Sequence, residues 1–290
     1  MAEAEERRSL IILGVCTMLS LIIAVFAWNK WGPEVTSQTQ FKLAVEHIVV
    51  PEQPSWILED VRAAAVRDGG LEGLQITDPS LVEKVEHAFS VQTWVAKIRR
   101  IRKRPGPRVE VELTYREPVA LVEVLTAQGQ RALQPVDGEG YVLPEGFLHA
   151  NPALIHEFLR ISAGYGMPKG PVGTPWGDPH VIGAARICHK LKDHWKQLNL
   201  YRVVAVDTGV SAKSANFELH TRGDSRILWG RTPGLEQPGE SDGETKLRLL
   251  LHYALANPIE PNGVWLDLRA ARTALRAAPQ LPVIDQRTAH

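Results

Sequence analysis

The sequence predicts an α+β protein: two modules carried behind a single transmembrane helix, the second built on a large, mainly antiparallel sheet. Three observations lead there. Leu10 to Trp28 runs for nineteen residues without a formal charge. Residues 41–116 read as strand, two helices and two strands. From residue 117 to 270, short β-branched runs outnumber helical ones. The first pattern suits a bilayer span, and the other two suit sheets covered by helices.

At 1.5 Å per residue the apolar stretch reaches about 28 Å, close to the roughly 30 Å hydrocarbon thickness of a bilayer. Arg7 and Arg8 precede it and only Lys30 follows closely. The positive-inside rule therefore predicts residues 1–9 in the cytoplasm and the bulk of the chain in the extracytoplasmic space. Trp28 and Trp31 suit the interfacial aromatic belt of a retained anchor in the cytoplasmic membrane. A cleaved signal peptide is the alternative, with Val25-Phe26-Ala27 as its cleavage site, although the run exceeds the usual signal core of about 7 to 15 residues. Residues 29–40 read as a linker.

Phe41 to Val50 alternates and then turns β-branched, as a strand does. Ser55 precedes Trp56, Ile57, Leu58, Val61 and Ala65 at nearly helical spacing, and Gly69-Gly70 supplies a stop. Asp78-Pro79 introduces a second helix through Leu81, Val82, Val85 and Phe89. Pro105-Gly106-Pro107 turns the chain between Val95 to Arg104 and the alternating Arg108 to Tyr115, giving a hairpin. Beyond Pro118, strands are expected at Val119–Leu125, Arg131–Val136 and Tyr141–Leu143. Gly164 to Pro179 reads as a long surface loop. Val181 to Leu198 reads as a helix; Tyr201–Val206, Asn216–Thr221 and Arg226–Trp229 as strands; Thr245–Asn257 as a helix; Val264–Leu268 as a last strand. Residues 271–290 read as a flexible tail.

Thirty-three basic residues balance 33 acidic ones, so whole-chain charge gives no argument for nucleic acid. Lys97 to Arg116 holds eight basic residues against Glu110 and Glu112, a stretch better read as a solvated strand face, or as one attracted to the anionic membrane surface, than as a nucleic-acid site. Cys16 and Cys188 are poor disulfide partners. Val203 to Gly209 ends in Asp207-Thr208-Gly209, the triplet that presents a carboxylate in aspartic proteases. Those enzymes need two facing carboxylates sharing a proton, and the chain has one such triplet, so a turn is the better reading and a membrane-anchored protease the alternative. His189 and His194 lie five apart rather than four, and neither a zinc motif nor a serine-hydrolase elbow occurs. No cofactor, metal or small-molecule substrate is called for.

The order of elements resembles the FtsQ/DivIB family of bacterial cell-division proteins over nearly the whole chain. The residues that carry the likeness are Phe41 to Val50, the Val95 to Tyr115 hairpin and the joint Tyr115-Arg116-Glu117-Pro118-Val119-Ala120. Val136 to Leu143, Ile227-Leu228-Trp229-Gly230 before Lys246-Leu247, and Trp265-Leu266-Asp267-Leu268-Arg269 complete it. The resemblance implies a POTRA module over 41–116, an FtsQ-type β domain over 117–270, and a non-enzymatic scaffold at the division septum that binds FtsB-like and FtsL-like proteins and helps regulate septal wall synthesis. It implies an interdomain joint at Arg116, Glu117 and Pro118. It also implies a partner-binding edge strand at Val264, Trp265, Leu266, Asp267, Leu268 and Arg269. An exposed edge offers unpaired N–H and C=O groups to a partner strand. Equally, Val264, Leu266 and Leu268 could pack inward with another strand covering the edge.

Overall fold

The computed structural model describes residues 14–27, 42–206, 215–256, 259, 263–270 and 274–276. Helix α1 occupies residues 14–27, with exposed Met18, Leu21, Ile22, Val25 and Phe26. This corrects the expected transmembrane helix: the apolar helical stretch among the described residues is fourteen residues, fewer than the roughly 20 that a bilayer span needs. No helix among the described residues is long and apolar enough to cross a membrane. Residues 10–13 and Trp28 of the expected span, with Arg7, Arg8 and Trp31, lie outside the described residues.

The chain divides into two compact units between Tyr115 and Arg116. In the first, the expected strand from Phe41 shortens to β1, Ile48–Val49. Val45–His47 form a 3-10 turn instead, because His47 Nδ1 accepts the Ala44 N–H at 3.2 Å. Helix α2, Val61–Asp68, starts later than Ser55 suggested. Asp60 accepts the N–H groups of Arg62 (2.9 Å) and Ala63 (3.1 Å), satisfying two donors that a helix start leaves orphaned. Helix α3, Leu81–Ser90, buries Leu81, Val85, Ala88 and Phe89. Strands β2, Val95–Lys103, and β3, Val109–Tyr115, form the expected hairpin, and β1 runs parallel to β3 in a sheet ordered β1-β3-β2.

The second unit carries an eight-stranded sheet ordered β11-β10-β9-β8-β7-β6-β4-β5. Its strands are β4 (Pro118–Leu125), β5 (Arg131–Asp137), β6 (Leu159–Ser162), β7 (Leu200–Ala205), β8 (Phe217–Thr221), β9 (Arg226–Gly230), β10 (Trp265–Asp267) and β11 (Ala274–Arg276). The expected mainly antiparallel sheet is corrected to a mixed one. The pairs β4–β6, β6–β7 and β9–β10 are parallel. Parallel neighbours need a long crossover, and helices supply it here. Helix α5, Pro179–Leu191, links β6 to β7, and α6, Gly243–Ala256, links β9 to β10. The crossover from β5 to β6 carries the short helix α4, Gly146–Ala150.

Cross-strand register makes the two sheet faces differ. Val122, Ile161, Val203, Leu219, Ile227 and Leu266 are successive partners across six strands, and all are buried. They share a core with Val181, Ala184, Ala185 and Cys188 of α5 and with Leu247 and Leu250 of α6. The next register, one residue away and so on the opposite face, runs Leu121, Arg160, Arg202, His220, Arg226. The expected surface loop from Gly164 to Pro179 is pinned by Trp176, which is buried in that core and whose backbone N–H bonds Gly140 O at 2.9 Å.

Candidate functional site

Two of the stretches that carry the family resemblance in the second unit, Ile227–Gly230 and Trp265–Arg269, meet at one end of its sheet. Trp265, Leu266 and Asp267 pair in parallel with Arg226, Ile227 and Leu228. Leu266 and Leu268 are buried; Val264, Trp265 and Arg269 are half-buried. Ser225 fixes the start of β10: its hydroxyl donates to Ile259 O and accepts the Val264 N–H at 3.0 Å. At the other end Arg269 holds Asp267 with Nη2 at 2.8 Å and Nε at 3.0 Å, a fork that fixes the turn after the strand.

Behind this strand lies a buried ionic contact. Lys246, fully buried on α6, donates to Glu240 at 2.7 Å and sits 5.5 Å from the Trp229 ring. Burial opposes ionisation of Glu240, but the Lys246 ammonium and the Arg231 and Gln237 backbone N–H groups outweigh it and hold the carboxyl below the ordinary glutamate value. Gly230, at φ 90°, lets the backbone pass between Glu240 and Arg269. A Cβ there would lie 2.2 Å from Glu240 Oε1 and 2.8 Å from Arg269 Cγ. Trp229-Gly230, Lys246 and Arg269, dispersed in sequence, thus form one packed unit.

The joint residues are held differently from one another. Arg116 is buried, donates to Asp137 at 2.6 Å and lies 3.6 Å over the Tyr141 ring. Asp137 Oδ1 also accepts the Glu139 and Tyr141 N–H groups, both at 2.9 Å. The Val136 to Leu143 likeness is therefore a turn wrapped on the Arg116 guanidinium. Glu117 pairs with Lys192 at 2.8 Å, and Pro118 opens β4.

One expectation changes. The segment Val264–Arg269 is not the sheet's edge: β10 lies between β9 and β11, and among the described strands the terminal position belongs to β11, within the stretch that composition read as a tail. The opposite end, β5, is blunted. Pro135 has no N–H to offer, while Leu143 N–H bonds Pro135 O at 2.9 Å and Val142 bridges Val136.

Asp207 lies outside the described residues. Among the described residues no group of His, Cys, Asp and Glu could hold a metal ion. Cys188 is buried and its thiol pushed up by desolvation, an inert core position; Cys16 is on α1. In the basic hairpin, Arg102 pairs with Glu112 at 3.2 Å and Arg104 with Glu110 at 2.5 Å, which neutralises part of the charge. Sequence reading missed the arginines of the open sheet face, since Arg160, Arg202 and Arg222 are far apart in the chain. No family model matches the chain, and no curated protein matches it.

Proposed function

We propose that the protein is a non-enzymatic cell-division scaffold acting at the septum, and that its second unit binds FtsB-like and FtsL-like partners by accepting a strand at the β11 end of its sheet. The observation that supports this most is the asymmetry of the two sheet ends. The β5 end is closed by Pro135 and the returning Val142 segment, whereas among the described residues β11 pairs on one side, with β10. A partner strand laid there gains main-chain hydrogen bonds, and pockets for alternate side chains confer specificity. Beneath it, Val264 to Arg269 is fixed at both ends, by the Ser225 hydroxyl on the Val264 N–H and by the Ser241 N–H on Arg269 O, which limits the ordering cost of docking.

The test is capture of the FtsB-like partner by chains carrying Ala274→Pro or Leu275→Pro. Successive strand residues direct their N–H groups to opposite sides, so one of the two substitutions removes a donor facing the partner. Loss of capture by either variant, with an unchanged far-UV spectrum, is expected. Full capture by both folded variants refutes strand addition.

A further inference from the structure

The open face of the large sheet carries a cleft of about 260 Å³ lined by Glu123, Arg160, Arg202, Arg222, Tyr201 and Trp195, with Ile155, His156 and Phe158 at its wall. Register alone brings two of these arginines together, since Arg160 and Arg202 are direct cross-strand partners on β6 and β7. Like charges placed opposite one another are unfavourable unless something compensates. Glu123 compensates one of them: it accepts from Arg202 Nη2 at 2.9 Å and from the Ser162 hydroxyl. Arg202 Nε is buried without a hydrogen-bond partner among the described residues. Among the described residues, Arg160 has no hydrogen bond or ion pair. Burial lowers its pKa, Glu123 opposes that effect, and the neighbouring Arg202 and Arg222 reinforce it. The Arg222 guanidinium lies 6.0 Å from the Tyr201 ring and Arg202 lies 5.1 Å from it.

Among the described lining residues, three guanidinium groups stand against one carboxylate, which leaves two positive charges without a counter-ion there. Arginine stays charged across the accessible pH range, so deprotonation does not relieve the repulsion. A planar fork with free N–H groups matches the oxygens of a phosphate or carboxylate. Of the two, a phosphate monoester carries close to two negative charges near neutral pH, whereas a single carboxylate carries one. The remaining wall, Trp195, Tyr201, Phe158 and Ile155, is aromatic and aliphatic, and suits an apolar body attached to the charged head.

We propose that this cleft binds a small phosphate monoester, its head held by Arg160, Arg202 and Arg222 and its body laid against Trp195 and Phe158. This goes beyond the scaffold reading, which involves no small molecule, and does not depend on it, because strand addition uses β11. The experiment is calorimetric titration of the full chain with phenyl phosphate at pH 7.5, with benzoate as a singly charged probe of the same body. Saturable binding of phenyl phosphate is expected, with benzoate at least tenfold weaker. Arg160→Met and Arg222→Met should each weaken phenyl phosphate at least tenfold, while Arg99→Ala, in the first unit, leaves it unchanged. Thermal melts of each variant establish that the fold persists. No saturable binding overturns the proposal, as does equal affinity for benzoate, or retained affinity in both folded arginine variants.

Discussion

Replacing Arg116 by Met isolates the energetics of the joint. Arg116 and Asp137 are each 8 % exposed at the side chain, and their contact is 2.6 Å. Removing one member of such a pair leaves a buried charge and costs about 3–5 kcal/mol. Asp137 keeps two backbone N–H bonds through Oδ1, from Glu139 and Tyr141, which still stabilise its carboxylate. The loss should therefore fall near the lower bound, about 3 kcal/mol. With a denaturant slope of about 2 kcal/mol per molar urea, the midpoint falls by about 1.5 M. Equilibrium urea unfolding followed by tryptophan fluorescence reads this directly, since Trp176 and Trp229 are buried in the same unit. Asp137→Asn preserves the Oδ1 acceptor and removes the charge. The double variant Arg116→Met, Asp137→Asn should accordingly lose less stability than Arg116→Met alone. A shift below about 0.5 kcal/mol for Arg116→Met, comparable to an ordinary surface substitution, refutes the argument, as does a double variant less stable than the single one.

Two further predictions concern the unit behind β10. The folded pKa of Glu240 is depressed below the ordinary 4.5, so its charge stabilises the fold fully above that pH and the contribution disappears as pH falls through the lower folded value. Glu240→Gln should flatten the acid side of the stability curve below pH 4.5 while lowering stability at pH 7, and an unchanged acid limb would refute it. Gly230→Ala meets both a left-handed φ of 90° and a collision with Glu240, and should cost about 1–3 kcal/mol in the same urea assay.

The amino-acid sequence alone determined features whose cause is local. The Pro105-Gly106-Pro107 turn and the alternation after Arg108 specify the β2–β3 hairpin, and the apolar spacing from Val181 specifies α5. The 3.6- and 2-residue periods are properties of neighbouring positions, so they survive without knowledge of the fold. The strand at Arg226, the helix α6 and the strand at Val264 are legible as elements too, although the parallel pairing of β9 with β10 is not. Strand β6 is not legible: Leu159–Ser162 is four residues long, and its strand character comes from β4 and β7 on either side. Missing it hid the β6–α5–β7 crossover and made the sheet look antiparallel. Likewise, a local pattern identified Val264–Leu268 as a strand, but which strand lies outermost depends on β11, and an edge is defined by a neighbour's absence. The arginine cleft belongs entirely to the tertiary level. Arg160, Arg202 and Arg222 become neighbours through cross-strand register and the closing of loops, and register is a relation between strands that no single stretch of sequence contains.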